Sequence, residues 1–109
     1  MDEILGKAGE LGRLIRETSI YGNYRALSDA LDADGDSRKI LDEFLAAARE
    51  LQERRDMGDI IEKFEEEHVA SLSAMVSHND AIMRFLKSQQ AYLELLLMIQ
   101  DELGGDDQT

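Results

Sequence analysis

Two groupings of side chains in this sequence could do chemistry, and both would be metal sites. The first is Glu65-x-x-His68, a carboxylate and an imidazole that a helix projects from one face, as in the di-iron four-helix proteins. Those centres need two such pairs and two further inward glutamates. The only other histidine, His78, has Met75 three residues before it, so the second pair is missing. His68 also lies one turn from both Phe64 and Leu72, where a histidine is ordinarily packed and hydrogen-bonded, and Glu65 to Glu67 read as a solvated acidic face.

The second grouping runs from Asp32 to Glu43, where Asp32, Asp34, Asp36 and Glu43 fall at positions 1, 3, 5 and 12 of a calcium loop. Against that chemistry, Ser37 takes the place of the turn glycine, Lys39 stands where an apolar residue is usual, and no second loop pairs with it. The competing reading is a turn between helices, in which Asp34 or Asp36 caps the following helix and the other acids favour its N-terminus. A metal-binding or metal-sensing helical protein using Glu65 and His68, or the Asp32 to Glu43 segment, is thus the alternative function. No catalytic, cofactor-binding or metal residue is assigned.

Other chemistries find less. The chain has no cysteine, which removes disulfides, thiolate nucleophiles and cysteine-held zinc or iron–sulfur clusters. Gly6-Lys7-Ala8 lacks the upstream glycine, the following Ser or Thr and the preceding strand of a phosphate loop. Lys7, Arg13 and Arg16 are the best basic patch, but 24 acidic against 12 basic residues leave a net charge of −12, which repels a phosphate backbone. Direct nucleic-acid binding is not expected. The acidic start, Met1-Asp2-Glu3-Ile4-Leu5-Gly6, has neither the basic nor the apolar region of a secretion signal, and the apolar run Leu95 to Ile99 is far too short to span a bilayer. A cytoplasmic location without membrane contact is the simplest expectation.

The elements that would position these residues are helices. There is no proline among the 109 residues, helix formers dominate between the glycines, and no window alternates as a strand does. Ile4, Ala8, Leu11 and Ile15 predict a first helix over residues 2–17, with Gly6, Gly9 and Gly12 as a small-residue ridge suited to close approach of a neighbouring helix. Thr18 to Tyr24 interrupts it, with Thr18 and Ser19 able to cap, and the pattern resumes through Leu27 and Leu31. Tyr21 and Tyr24 read as aromatics at the edge of a core. Leu41, Phe44, Leu45, Ala48 and Leu51 predict a helix over 37–55, stopped by Gly58, with Asp59 as cap of the next, over 60–77.

The last helix, Asn79 to Leu103 with Asn79 as its cap, carries the most apolar weight. Ile82, Phe85, Leu86, Gln89, Tyr92, Leu93, Leu96, Leu97, Gln100 and Leu103 fall on one broad face. Ala91, Leu95 and Met98 fall opposite, and a helix apolar on both sides is normally buried on both sides. Ala91, Leu95 and Met98 are therefore assigned as contacts between subunits, and Gln89, centred on the main stripe, either fixes register or oligomer state through an amide that demands a specific partner or lies at a wet rim. The expected protein is all-α: an oligomeric antiparallel bundle of four to five helices over residues 1–103, with a flexible tail over 104–109.

Three stretches also carry a family resemblance, spanning residues 4–103. They are Ala8-x-Glu10-Leu11-Gly12-x-x-Ile15-x-x-Thr18-x-x-Tyr21, then Asp34-x-x-Ser37-x-x-Ile40-Leu41-x-x-Phe44, and then Asn79-Asp80-x-Ile82-x-x-Phe85-Leu86-x-Ser88-Gln89-x-x-Tyr92-Leu93-x-x-Leu96-Leu97 through Leu103. In this order they resemble the YlbF/YmcA family, the competence-regulator group of small helical bacterial proteins that includes YheA-like members. None is a catalytic signature. The resemblance implies a non-enzymatic regulator that forms homo-oligomers, or hetero-oligomers with relatives, in ribonuclease-dependent RNA processing, competence, sporulation and biofilm formation. Some members of that family hold iron–sulfur clusters through cysteines. This chain has none, so that property does not carry over, and the YheA-like branch is the nearer comparison.

Overall fold

Thr18 ends one helix and begins the next. In the computed structural model, which describes residues 2–105, its hydroxyl donates to the Ile15 carbonyl at 2.7 Å and accepts from the Tyr21 N–H at 3.1 Å. It closes the last turn of α1 (Asp2–Arg16) and caps α2 (Ser19–Ala33). α2 thus starts five residues before Tyr24, where its apolar pattern becomes visible. A single residue, Asp34, separates α2 from α3 (Gly35–Asp56). Its carboxylate accepts from the Ser37 N–H at 3.3 Å and the Ser37 hydroxyl at 2.8 Å, so Asp34 rather than Asp36 is the cap.

α3 stops at Gly58, whose φ of 81° lies in the left-handed region that only glycine enters at little cost. The Gly58 and Asp59 amides return to the carbonyls of Arg55 and Arg54, at 3.0 and 2.9 Å. Asp59 does not cap the next helix as expected: its carboxylate turns back to Arg54 at 3.8 Å. Residues 59–62 are consequently non-helical, and α4 (Lys63–Ser77) begins three residues later than its apolar pattern suggests. α5 (Asp80–Gly105), the longest helix at 26 residues, starts where expected: the Asn79 side-chain carbonyl accepts from the Ile82 N–H at 2.9 Å. It continues through Gly104 and Gly105; the remainder of the expected tail lies outside the described residues. Five helices and no strands account for the fold of the described residues.

These helices form two compact units. The unit from Ala30 to Arg84 buries Leu31, Leu41, Leu51, Leu72, Val76 and Ile82, each of which stabilises it by about 1.5–3 kcal/mol. Its α3 and α4 are antiparallel, because contacts join both ends of the pair. Arg54 and Arg55 near the end of α3 bind Glu65 and Glu66 at the start of α4, while Ser37 at the start of α3 reaches Asn79 just past the end of α4.

The other unit holds the described residues up to Asp29 together with those from Phe85 onward. An aromatic cluster organises it: Tyr24 stacks on Tyr92 at 4.9 Å between ring centroids and on Phe85 at 5.8 Å, and Tyr21 meets Tyr92 edge-on at 5.4 Å. α1 contributes no buried residue. Its glycine ridge hosts no close neighbour, since a Cβ added at Gly6 or Gly9 would meet nothing within 4 Å, and at Gly12 would meet only the Arg16 side chain of the same helix.

Candidate functional site

Four of the residues that could hold a metal, Glu65, Asp32, Asp34 and Glu43, are engaged elsewhere. Glu65 gives its carboxylate to the Arg54 guanidinium, which also donates to the Ile60 carbonyl at 3.3 Å. This arginine therefore ties the turn between α3 and α4 to the first turn of α4. His68 is exposed, on the rim of a cleft of about 280 Å³ between α3 and α4, lined also by Leu51, Phe64 and Val69. In the acidic segment Asp34 is spent on capping, Asp32 and Asp42 flank Arg38 at 3.6 and 3.2 Å, and Glu43 pairs with Lys39 at 3.9 Å. Residues 35–43 are helical, so their carboxylates radiate around α3, whereas a calcium loop wraps its ligands around one point. Among the described residues no three His, Asp or Glu side chains converge as metal ligands.

The basic patch on α1 is likewise divided. Lys7 pairs with Glu3 at 3.9 Å, and Arg13 lies between Glu10 and Glu17 at 4.0 and 2.9 Å. Among the described residues no helix is long and apolar enough to cross a membrane.

What the molecule does expose is the outer face of α5. Leu93, Leu97 and Met98 are 52%, 58% and 68% exposed, while Leu103, 61% exposed, shares the azimuth of Phe85 and is open only because it stands near the helix end. The covered side is centred on Phe85, Ser88 and Tyr92 and continues through Leu95, Leu96 and Ile99, roughly a fifth of a turn away from the stripe that hydrophobicity marks. The four residues assigned to a subunit contact therefore divide: Met98 is exposed, while Ala91, Leu95 and Gln89 are half-buried. Leu93 and Leu97, placed on the covered stripe by their spacing, face solvent.

Sequence reasoning missed Ser88 because a hydroxyl adds nothing to an apolar pattern. It is 4% exposed, and its hydroxyl is satisfied by the Phe85 carbonyl of its own helix at 2.7 Å. The missed line of charge on the exposed side is Lys87, Glu94 and Asp101, all exposed and seven residues apart, a spacing that keeps them on one face.

The described residues thus form a small all-α protein in which Asp34 is spent on a cap and Asp32, Asp42, Glu43 and Glu65 on ion pairs, with large apolar side chains left exposed on its longest helix. The chain belongs to the YlbF/YmcA family, described as control of competence regulator ComK, whose model matches residues 4–105. A UPF0342 protein of Lactobacillus delbrueckii subsp. bulgaricus is 30% identical over 104 residues, 95% of this chain and 89% of that protein. A UPF0342 protein of Streptococcus pyogenes serotype M4 is 28% identical over 89 residues, 82% of this chain and 79% of that one. The fold is that of RicA of Bacillus subtilis, solved by X-ray crystallography in complex with RicF, with a TM-score of 0.74 at 16% identity over 94% of this chain and 90% of that one.

Proposed function

We propose that this protein is a non-enzymatic regulator of the bacterial cytoplasm that acts by pairing helix faces, with further copies of itself or with related helical proteins. The observation that carries this reading is the outer face of α5, where Leu93, Leu97 and Met98 are each more than half exposed within six residues of sequence. Exposed apolar side chains clustered on one helix mark interaction surfaces. Family membership supports a regulatory role, and the relative crystallised with RicF supports a protein partner. Roles in competence, sporulation, biofilm formation or ribonuclease-dependent RNA processing are the processes such a partner would connect it to.

Light scattering on the purified chain, and on the chain co-expressed with family members from the same host, tests the reading. A species larger than the monomer is expected in at least one case. A monomer in every combination at about 100 μM, a concentration that populates even weak specific contacts, overturns it.

A further inference from the structure

We propose that the cleft between α3 and α4 receives a basic amphipathic helix of a partner protein, anchored by one bulky apolar side chain of that helix. The surface is separate from the outer face of α5. Its origin lies in how unevenly the antiparallel pair is covered along its length. Within the unit from Ala30 to Arg84, α2 and α5 contribute the fully buried Leu31 and Ile82, whose places in the chain put them at the end where α3 starts and α4 stops. Toward the turn between α3 and α4 only Leu51 is buried, and Phe64 is 68% exposed. A helix buries an apolar stripe only against further elements, and two helices by themselves leave one flank of each stripe open.

The cleft is that open flank. Positions 47, 50, 51 and 54 of α3 form one wall and 64, 65, 68 and 69 of α4 the other, so each wall follows its helix for about two turns. A groove that runs along two helix axes suits a third helix, which lays an apolar face into it. Its volume of about 280 Å³ falls below the roughly 300 Å³ at which small-molecule pockets begin. It therefore holds one large side chain of a larger partner. Leu51 and Val69 supply an apolar floor for that side chain, and the exposed Phe64 ring supplies an aromatic wall that it would cover.

Charge selects the partner's sign. Arg54, the cation of the lining, is already held by Glu65, Asp59 and the Ile60 carbonyl. Glu50 also lines the cleft, is exposed and has no ion-pair partner among the described residues. Around it, residues 49–69 carry eight acids against four bases. An acidic helix would be repelled here, whereas a lysine or arginine beside the anchor meets Glu50.

Fluorescence anisotropy on the full chain tests the assignment with a dye-labelled peptide of about 15 residues, long enough to form a helix. The peptide is built of lysine and alanine, with one tryptophan and one leucine four residues apart on the same face. Binding is expected at about 10–100 μM. Phe64→Ala and Glu50→Lys are each expected to weaken it at least about fivefold. Both side chains are exposed, and circular dichroism verifies folding. Glu10→Lys on α1 makes the same change in net charge as Glu50→Lys and is expected to stay within about twofold of the unaltered chain. Leu97→Asp on α5 is expected to stay within the same factor. A peptide with alanine in place of tryptophan and leucine is expected to bind at least about fivefold more weakly. The cleft assignment is overturned if the first peptide fails to bind, if the alanine peptide binds as well, or if Glu10→Lys weakens binding as much as Glu50→Lys does. It is equally overturned if Phe64→Ala has no effect or if Leu97→Asp abolishes binding, which would move the peptide to α5.

Discussion

The Asn79 side-chain amide donates to the Ser37 hydroxyl at 2.9 Å, and that hydroxyl in turn donates to Asp34 at 2.8 Å. Asn79 caps α5 and Asp34 caps α3, so the 5%-exposed Ser37, 42 residues from Asn79 in sequence, joins two helix starts. Each cap contributes about 1 kcal/mol, and the buried link couples them. Asn79→Ala is expected to cost about 1–2 kcal/mol by urea denaturation, through loss of the α5 cap and of the Ser37 donor. Ser37→Ala is expected to cost about 1 kcal/mol, and the double variant less than the sum by at least about 0.5 kcal/mol. Strict additivity would show that the two caps act independently.

Glycine inside an exposed helix costs about 0.5–1 kcal/mol relative to alanine. At Gly6 and Gly9 the space for a Cβ is open. Gly6→Ala and Gly9→Ala are therefore each expected to raise stability by up to about 1 kcal/mol, read as a higher thermal midpoint without altered association. A fall in association with either alanine would mean that the glycine ridge receives a helix of another chain.

The helices were legible in the sequence wherever a cap or a stop stood beside an apolar repeat. Asn79, Thr18, Asp34 and Gly58 each mark a boundary through a local bond or a local φ. The start of α4 was not legible, because Asp59 is a good capping residue by type, and only the fold brings Arg54 close enough to claim it. The sequence pointed to Ala91, Leu95, Met98 and Gln89 on α5, and of these only Met98 is exposed. Leu93 and Leu97 are as apolar as Leu96, and hydrophobicity alone cannot tell a covered leucine from an exposed one at the edge of a broad stripe. The direction is set by the aromatic cluster around Tyr92 and by Ser88, a polar residue inside the covered face. Pairings between distant positions, such as Tyr24 with Tyr92, leave no periodic trace.

Arg54 holds Glu65 with both side chains less than a third exposed. Glu65→Gln is expected to reduce stability by about 1 kcal/mol, through the lost charge-assisted bond. Because that carboxylate is occupied and His68 has no further acid converging on it, zinc, calcium, iron or manganese at tenfold molar excess is expected to leave the thermal midpoint unchanged. Elemental analysis of protein prepared without chelator provides the second readout. Stoichiometric metal that disappears in Glu65→Gln or His68→Ala would revive the metal reading.

Tyr92 brings α5 into the aromatic cluster, touching Tyr21 and Tyr24. Tyr92→Ala removes both contacts from a well-packed site and is expected to cost about 3 kcal/mol, within the range for large aromatic truncations. The chain has no tryptophan, so unfolding is followed by circular dichroism, with tyrosine fluorescence reporting on the cluster itself. Tyr92→Phe keeps the ring and is expected to stay within about 0.5–1 kcal/mol of the unaltered protein.

Leu95 and Leu97 separate folding from association. Leu95 is half-buried on the covered side of α5, and Leu97 is 58% exposed on the other. An aspartate at position 95 places a carboxylate among apolar neighbours and is expected to lower stability by about 2 kcal/mol or more. The same change at position 97 alters a side chain already in water, so its effect on monomer stability is expected within about 0.5 kcal/mol. On the outer face through which the protein is proposed to pair, however, Leu97→Asp replaces an exposed apolar side chain with a carboxylate, and association is expected to fall by at least about tenfold. Denaturation in dilute solution together with sedimentation at high concentration gives both numbers for each variant. If Leu97→Asp destabilises the monomer as much as Leu95→Asp does, the assignment of covered and exposed faces on α5 is wrong. If it leaves both stability and association untouched, the outer face takes no part in assembly.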